Sequence, residues 1–148
     1  MNLTSLRLFF TRDLTKLLAE IEAYTTENAL WRVEGNILNS GGNLTMHLVG
    51  NLNTYIGARL GGTGYVRDRP FEFAGKGIPR AVLATQVQEV MQTVDRTLAA
   101  LTPEDLEKEY PEEVGDGRVS TRHFLGHLAM HLNYHLGQIN YHRRLLDV

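Results

Sequence analysis

The chain has no cysteine among its 148 residues. This absence excludes disulfide bonds, zinc–thiolate sites and a nucleophilic protein thiol, so any chemistry must use nitrogen, oxygen or a borrowed group. The chain also has no apolar run close to the ~18 residues that cross a membrane, and its first residues lack a basic leader and a small-residue cleavage site. We therefore expect a soluble cytoplasmic protein without a membrane partner.

An excess of positive charge is missing as well. Fifteen lysines and arginines stand against seventeen aspartates and glutamates, for a formal net charge of -2. Non-specific binding to nucleic acid phosphates depends on a strongly basic surface, so nucleic acid is not an expected partner. The length suits one domain, which buries roughly 68–70% of the surface that its unfolded chain exposes. We predict a single domain over residues 1–148.

Apolar residues recur at spacings of three and four along four segments of the chain, which is the period of amphipathic helices. No segment shows the alternating pattern of a strand, and a sheet is expected to be at most a short ladder in residues 61–78. The pattern predicts an all-α fold, a four-helix bundle, with one further helical turn at residues 103–106. The main helices are predicted over residues 3–24, 43–60, 79–101 and 120–146.

Five of the six histidines lie in the last predicted helix. At ~100° per residue, His131 and His135 fall about 20° to either side of Phe124, so both point into the bundle. Two others are weaker ligand candidates, because His127 lies about 60° and His123 about 100° away from that direction. His142 also faces inward, but it lies ~10 Å along the axis from His135, so we expect it to serve packing or a subunit contact.

His47 is the one histidine outside this helix, and elimination makes it the candidate third ligand of a metal site. An i, i+4 histidine pair can bind one ion through imidazole nitrogens, and a catalytic site usually adds a third protein ligand and an open position. The alternative is a hydrogen-bonded pair of core histidines without metal. Spacing alone favours that alternative, with Asn133, Tyr134 and Gln138 as possible hydrogen-bonding partners.

Two stretches of the sequence resemble the DinB/YfiT-like superfamily of metal-dependent enzymes. One is His127-x-x-x-His131-x-x-x-His135-Leu136-Gly137-Gln138-Ile139, and the other is Asn43-Leu44-Thr45-Met46-His47-Leu48 on the second helix. The run Arg67-Asp68-Arg69-Pro70-Phe71-Glu72-Phe73 is similar to one branch of the superfamily. The resemblance implies an up-down-down-up four-helix bundle, often dimeric. It also implies His47, His131 and His135 as the metal ligands, with water or substrate in the remaining positions.

Three imidazoles leave the ion its full positive charge, so a bound water or thiol would have a lowered pKa and become a nucleophile. The resemblance implies thiol-dependent S-transferases or isomerases among the relatives, and in a chain without cysteine such a thiol would be a low-molecular-weight cosubstrate. We predict a divalent-metal-dependent transferase or hydrolase. The alternative is a non-catalytic metal-binding stress-response bundle that acts through its dimer surface. Zinc is the expected ion, with nickel or iron as the other candidates.

Four further residues are candidates for supporting roles around the ion. Asn51 and Gln138, each one turn from a predicted ligand, are candidates to orient the imidazoles; the alternative is that both simply face solvent. Arg67 and Arg69, in a glycine-bounded crossover with Glu72, either hold a substrate carboxylate or form an exposed ion-pair loop. We also expect a homodimer, because small bundles often bury a remaining apolar stripe against a second copy.

Overall fold

The computed structural model describes residues 1–115 and 117–148, and within this part of the chain the fold is all-α, without a strand. Three isolated β-bridges occur in loops. None of the helices in the described ranges is long and apolar enough to span a membrane. A π-helical segment, Asn53–Ala58, directly continues the third helix. The α-helices are α1 (Leu3–Ala23), α2 (Glu27–Trp31), α3 (Gly41–Leu52), α4 (Arg69–Ala74), α5 (Arg80–Ala100), α6 (Pro103–Glu107) and α7 (Thr121–Leu146).

Four helices form the bundle: α1 packs against α5 and α7, and α3 packs against the same two helices from the other side. All twelve residues of α3 are buried, so this helix is the centre of the molecule. The core is made mainly of leucine and valine from the four helices, together with a few aromatic side chains. The predicted all-α class is confirmed, whereas the up-down-down-up order of helix directions stays a prediction.

The second predicted helix, over residues 43–60, begins earlier than expected and changes type along its length. Ser40 caps α3 by accepting a hydrogen bond from the backbone N–H of Asn43 at 3.1 Å. Gly42 fits in the first turn because a Cβ there would lie 2.6 Å from the ring of Trp31. The helix becomes π-helical from Asn53 onward, just before Thr54 donates its hydroxyl to the carbonyl of Gly50 at 2.8 Å.

The crossover between α3 and α5 contains a short helix. Asp68 caps α4 by accepting a hydrogen bond from the N–H of Phe71 at 3.1 Å, and Pro70 occupies the first turn, where no backbone N–H is needed. The isolated bridges between described residues lie in the loops before α3 and before α7, and none lies in residues 61–78, which agrees with the prediction of at most a short ladder there. The helical turn expected at residues 103–106 is confirmed as α6.

His142 is a packing residue rather than part of a subunit contact, because it is buried inside the bundle. Its Nε2–H donates to the carbonyl of Arg32 at 2.8 Å, and its Nδ1 accepts from the hydroxyl of Tyr24 at 2.7 Å. Burial lowers the pKa of His142, so the ring is neutral near pH 7. The three residues join α1, α7 and the loop after α2.

The core of the bundle can be tested with two leucines of α1. Replacing Leu14, which is 1% exposed, by alanine removes buried methyl groups and leaves a cavity, and should lower the free energy of unfolding by about 2–5 kcal/mol. Leu8 is 63% exposed, so Leu8→Ala should change it by less than about 0.5 kcal/mol. Urea denaturation measures both variants, and equal effects would contradict the described packing of α1.

Candidate metal centre

Three histidines from two helices turn their rings toward one point. Each offers one ring nitrogen, and these nitrogens lie within 4.8 Å of one another. Nε2 of His131 is 3.2 Å from Nε2 of His47 and 3.1 Å from Nε2 of His135. The structure therefore brings His47, His131 and His135 together at the interface of α3 and α7.

The helix geometry explains this convergence. His131 and His135 are one turn apart on α7, so their side chains lie on the same face, and their ring centroids are 4.5 Å apart. His47 lies in α3, which packs against α7. Its ring is 5.1 Å from the ring of His131 and 5.2 Å from that of His135, edge-on in both cases.

His47 is oriented by a carboxylate from the crossover. Its Nδ1 lies 3.0 Å from Oε1 of Glu72 and 3.2 Å from Nη2 of Arg67. Since Nη2 already donates to that carboxylate at 2.7 Å, we assign the hydrogen bond at Nδ1 to Glu72, and because a carboxylate only accepts, Nδ1 carries the proton. Arg67 donates to both oxygens of the same carboxylate, from Nε to Oε2 and from Nη2 to Oε1, each at 2.7 Å. The lone pair of His47 is therefore on Nε2, the nitrogen that faces the other two histidines.

Gly50 provides the space for that carboxylate. It lies one turn after His47 on α3, and a Cβ at this position would come within 2.0 Å of Oε2 of Glu72. Any side chain here would displace the end of Glu72. The absence of a Cβ thus permits the contact between the crossover and His47.

His135 is oriented by an amide on its own helix. Its Nδ1 lies 2.7 Å from Oε1 of Gln138, and the amide oxygen accepts from Nδ1–H, which again leaves the lone pair on Nε2. For His131 the situation differs, because its buried Nδ1 has no hydrogen-bonding partner among the residues that the structure describes. Two of the three rings are thus held in the tautomer that a metal ligand needs.

The electrostatics of the cluster favour neutral imidazoles. Burial, followed by the neighbouring His135 and His47, lowers the pKa of His131 to about 4. Burial also lowers the pKa of His47, although the hydrogen bond and charge of Glu72 act in the opposite direction. Both rings are therefore uncharged at neutral pH, the state in which an imidazole nitrogen binds a metal ion.

The chemistry of this donor set fits a divalent metal ion. With the protons of His47 and His135 on Nδ1, the three facing Nε2 atoms share at most the single proton of His131, so lone pairs are brought close together. Nitrogens bound at ~2.0–2.1 Å to one tetrahedral zinc ion would be about 3.3 Å apart, and the two shortest separations here are 3.1 and 3.2 Å. A cation between the three nitrogens would satisfy all of them.

A cavity of about 270 Å³ lies beside the cluster. His47 and His131 form part of its wall, and Phe124 and Leu128 provide an apolar side. Tyr55 reaches the cavity from the π-helical segment, and its ring contacts Phe124 edge-on at 5.2 Å. The remaining lining residues are Asn51, Arg67, Arg69, Val114, Gly115 and His127.

The predicted supporting residues have different positions. Gln138 contacts His135, as expected for an orienting residue, while Arg67 and Arg69 both line the cavity. Asn51 is buried and lines the cavity too, but none of the hydrogen bonds between described residues joins it to an imidazole. Its role as an orienting residue stays a prediction.

The hydrogen bond between Glu72 and His47 was not predicted from the sequence. A signal was present, because a ligating histidine commonly donates its second N–H to a carboxylate. Glu72 is also the carboxylate of a crossover that already suggested a functional role. Its distance of 25 positions from His47 along the chain concealed the contact, which exists only once α4 packs on α3.

Comparison with known protein families gives a match over most of the chain. A sequence model of the DinB superfamily matches residues 10–139 of the chain, a span that includes all three histidines, Glu72 and Gln138. A search of curated proteins found no match.

The carboxylate can be tested by its effect on metal affinity. Glu72→Gln keeps the shape of the side chain but lets the amide turn a donor toward Nδ1 of His47, so zinc affinity should fall about 10–100-fold. Glu89→Gln is the matched control, because Glu89 is an exposed glutamate on α5. Isothermal titration with zinc measures both variants. Equal affinities of Glu72→Gln and the unmodified protein would show that Glu72 does not support a ligand.

Proposed function

The chain belongs to the DinB superfamily, and we propose that it is a metal-dependent enzyme whose divalent ion is held by His47, His131 and His135. The convergence of three imidazole nitrogens is the observation that carries this proposal. Glu72 and Gln138 support it, because each fixes the tautomer that presents Nε2 to the ion.

The cavity beside the cluster favours catalysis over a purely structural ion. A structural zinc site is usually closed by four protein ligands, whereas a catalytic site keeps a position for water or substrate. Here three histidines converge, and a cavity with convergent polar side chains adjoins two of them. Such a combination of a small cavity and polar groups is typical of substrate sites.

The proposed reaction is a group transfer or hydrolysis on a small substrate. An ion held by three neutral ligands would lower the pKa of a bound water or thiol and polarise a substrate oxygen. The protein residues orient the ligands, and Phe124 and Leu128 form an apolar side of the cavity. Because the chain has no cysteine, a thiol nucleophile would be a low-molecular-weight cosubstrate. Zinc is the proposed ion, with nickel or iron as the other candidates.

A second candidate function is a non-catalytic metal-binding bundle that acts in stress response through its dimer surface. One observation favours a dimer: four apolar or aromatic side chains on α7 are 56–67% exposed, and they lie within about 60° of one another around the helix axis. Gly137 lies on the same face. The residues of this α7 stripe are Met130, Tyr134, Tyr141 and Leu145.

Metal binding is tested by two histidine variants. His135→Ala should abolish stoichiometric binding of zinc, because it removes one of the three nitrogens. His123→Ala should leave binding nearly intact, because His123 is not a member of the cluster. Elemental analysis after dialysis against zinc measures both. Retention of one zinc per chain by both variants would refute the proposed ligand set.

The same ion should stabilise the folded protein. A ligand that binds only the native state raises the free energy of unfolding by about 2.7 kcal/mol at a free concentration 100 times its Kd. Zinc or nickel added to the demetallated protein should therefore raise its Tm, and a chelator should reverse the shift. An unchanged Tm would favour a plain bundle with histidines in its core.

Catalysis is separated from the second candidate by an activity screen. The zinc-loaded protein, incubated with candidate electrophiles and low-molecular-weight thiols, should form a transfer or hydrolysis product that His135→Ala does not form. Metal binding with no turnover across such a panel would favour the non-catalytic function.

The proposed homodimer predicts a change in sedimentation. Met130→Glu places a charge in the α7 stripe and should dissociate the dimer at micromolar concentration, since the interface would bury an unpaired charge. Val82→Glu is the control, because Val82 is a partly exposed residue of α5 outside the stripe. Analytical ultracentrifugation measures both, and a monomeric unmodified protein would contradict the prediction.

A further inference from the structure

The cavity beside the histidines contains two arginines, and they differ in what they already bind. Arg67 is held by both oxygens of Glu72. Arg69 is exposed, and its side chain has no hydrogen bond or ion pair with residues 1–115 or 117–148. Its guanidinium lies over the ring of Phe73, 5.2 Å from the centroid. The planar donor groups of Arg69 therefore remain available to a ligand.

The neighbouring aspartate does not neutralise Arg69. Asp68 accepts a hydrogen bond from the backbone of Phe71 and so caps α4. It lines a different cavity, of about 420 Å³, on the side of α4 that faces α5. The acidic side chain next to Arg69 in sequence is thus not among the described residues that line the histidine cavity.

Phe73 relates Arg69 to the histidine cluster. The ring of Phe73 packs against the ring of His47 with centroids 4.9 Å apart, and the guanidinium of Arg69 lies over the same ring. Two successive contacts thus join the arginine to a proposed metal ligand. Since Arg69 and His47 also line one cavity, a small molecule there can reach both.

The charge and size of the cavity limit what it can bind. No aspartate or glutamate is among its described lining residues, and Glu72, behind His47, is paired with Arg67. Among the lining residues that the structure describes, one positive charge, that of Arg69, is therefore in excess. A volume of about 270 Å³ corresponds to roughly nine water molecules, which suits a small molecule and excludes a large cofactor or a folded partner.

We propose that Arg69 binds the carboxylate of a small carboxylic acid whose reacting end faces His47 and His131. The planar guanidinium matches a carboxylate through two parallel hydrogen bonds, and one excess positive charge matches a monoanion. This assignment of a substrate class rests on the proposed function of the histidine site. It also separates the two arginines of the crossover, since Arg67 supports the protein and Arg69 binds the ligand.

The test uses propionate as the probe and its neutral isostere propionamide as the comparison. Each is titrated into the zinc-loaded and the metal-free protein and followed by nitrogen–proton correlation spectra. Propionate should shift signals of cavity residues and propionamide should not. Arg69→Gln should weaken propionate binding about five- to tenfold, and Arg69→Lys, which keeps the charge without the planar fork, should weaken it less.

Arg96→Gln is the matched control, because Arg96 is an exposed arginine of α5 outside this cavity. The Arg96→Gln protein should bind propionate with the affinity of the unmodified protein. Equal affinities of the Arg69→Gln and unmodified proteins would overturn the proposal, as would tighter Arg69-dependent binding of inorganic phosphate. Zinc content, measured on the same samples, separates the two proposals. If propionate binds in an Arg69-dependent way but the protein binds no zinc, only the proposed metal centre is refuted. If the protein binds zinc but propionate binding does not depend on Arg69, only the proposed subsite is refuted.

Discussion

The carboxylate of Glu72 accepts hydrogen bonds from Arg67 and from His47 at the same time. Burying a carboxylate is costly unless it is paired and hydrogen-bonded, and here both conditions are met. The same contact attaches the crossover to α3 and determines which nitrogen of His47 faces the other histidines. These hydrogen bonds of Glu72 therefore determine the position of α4, the tautomer of His47 and the shape of the adjoining cavity.

Stability and function have different requirements at the histidine cluster. Packing places the rings of His47 and His131 where burial disfavours their protonation, and burial together with the neighbouring histidines lowers the pKa of His131 to about 4. The cluster then presents lone pairs to one another, and Nδ1 of His131 has no partner among the described residues. Facing lone pairs and a buried nitrogen without a partner are rare in a core that serves packing alone. The cluster therefore indicates a binding site.

Periodicity predicted the long helices well, because each buries one continuous face. The predicted range 3–24 corresponds to α1, and 120–146 to α7, within one residue at each end. The short helices α2 and α4 were not predicted, since five or six residues are too few to show a 3.6-residue period. The π-helical segment also escaped notice, because its apolar residues fit an ordinary helix equally well.

The candidate site was predictable only in part, for a related reason. The shared face of His131 and His135 follows from their spacing on one helix, whereas His47 required elimination and a family resemblance. The contact between Glu72 and His47 depends on the packing of α4 on α3, and no local pattern encodes it. Gln138 was easier to identify, because it lies on the same helix as its partner, three positions away.

The π-helical segment Asn53–Ala58 has a consequence for how this chain tolerates changes in length. A π-helical turn accommodates one more residue than an α-helical turn, so it is equivalent to an insertion in α3. Deleting a single residue there could restore a continuous α-helix, but it would rotate everything beyond by about 100° relative to the preceding turns. The carbonyl of Tyr55, within this segment, accepts a hydrogen bond from the hydroxyl of Tyr110 at 2.7 Å. The rotation would disrupt this hydrogen bond. The chain can therefore vary in length more readily in its loops than in this segment, although the segment is the least regular part of its central helix.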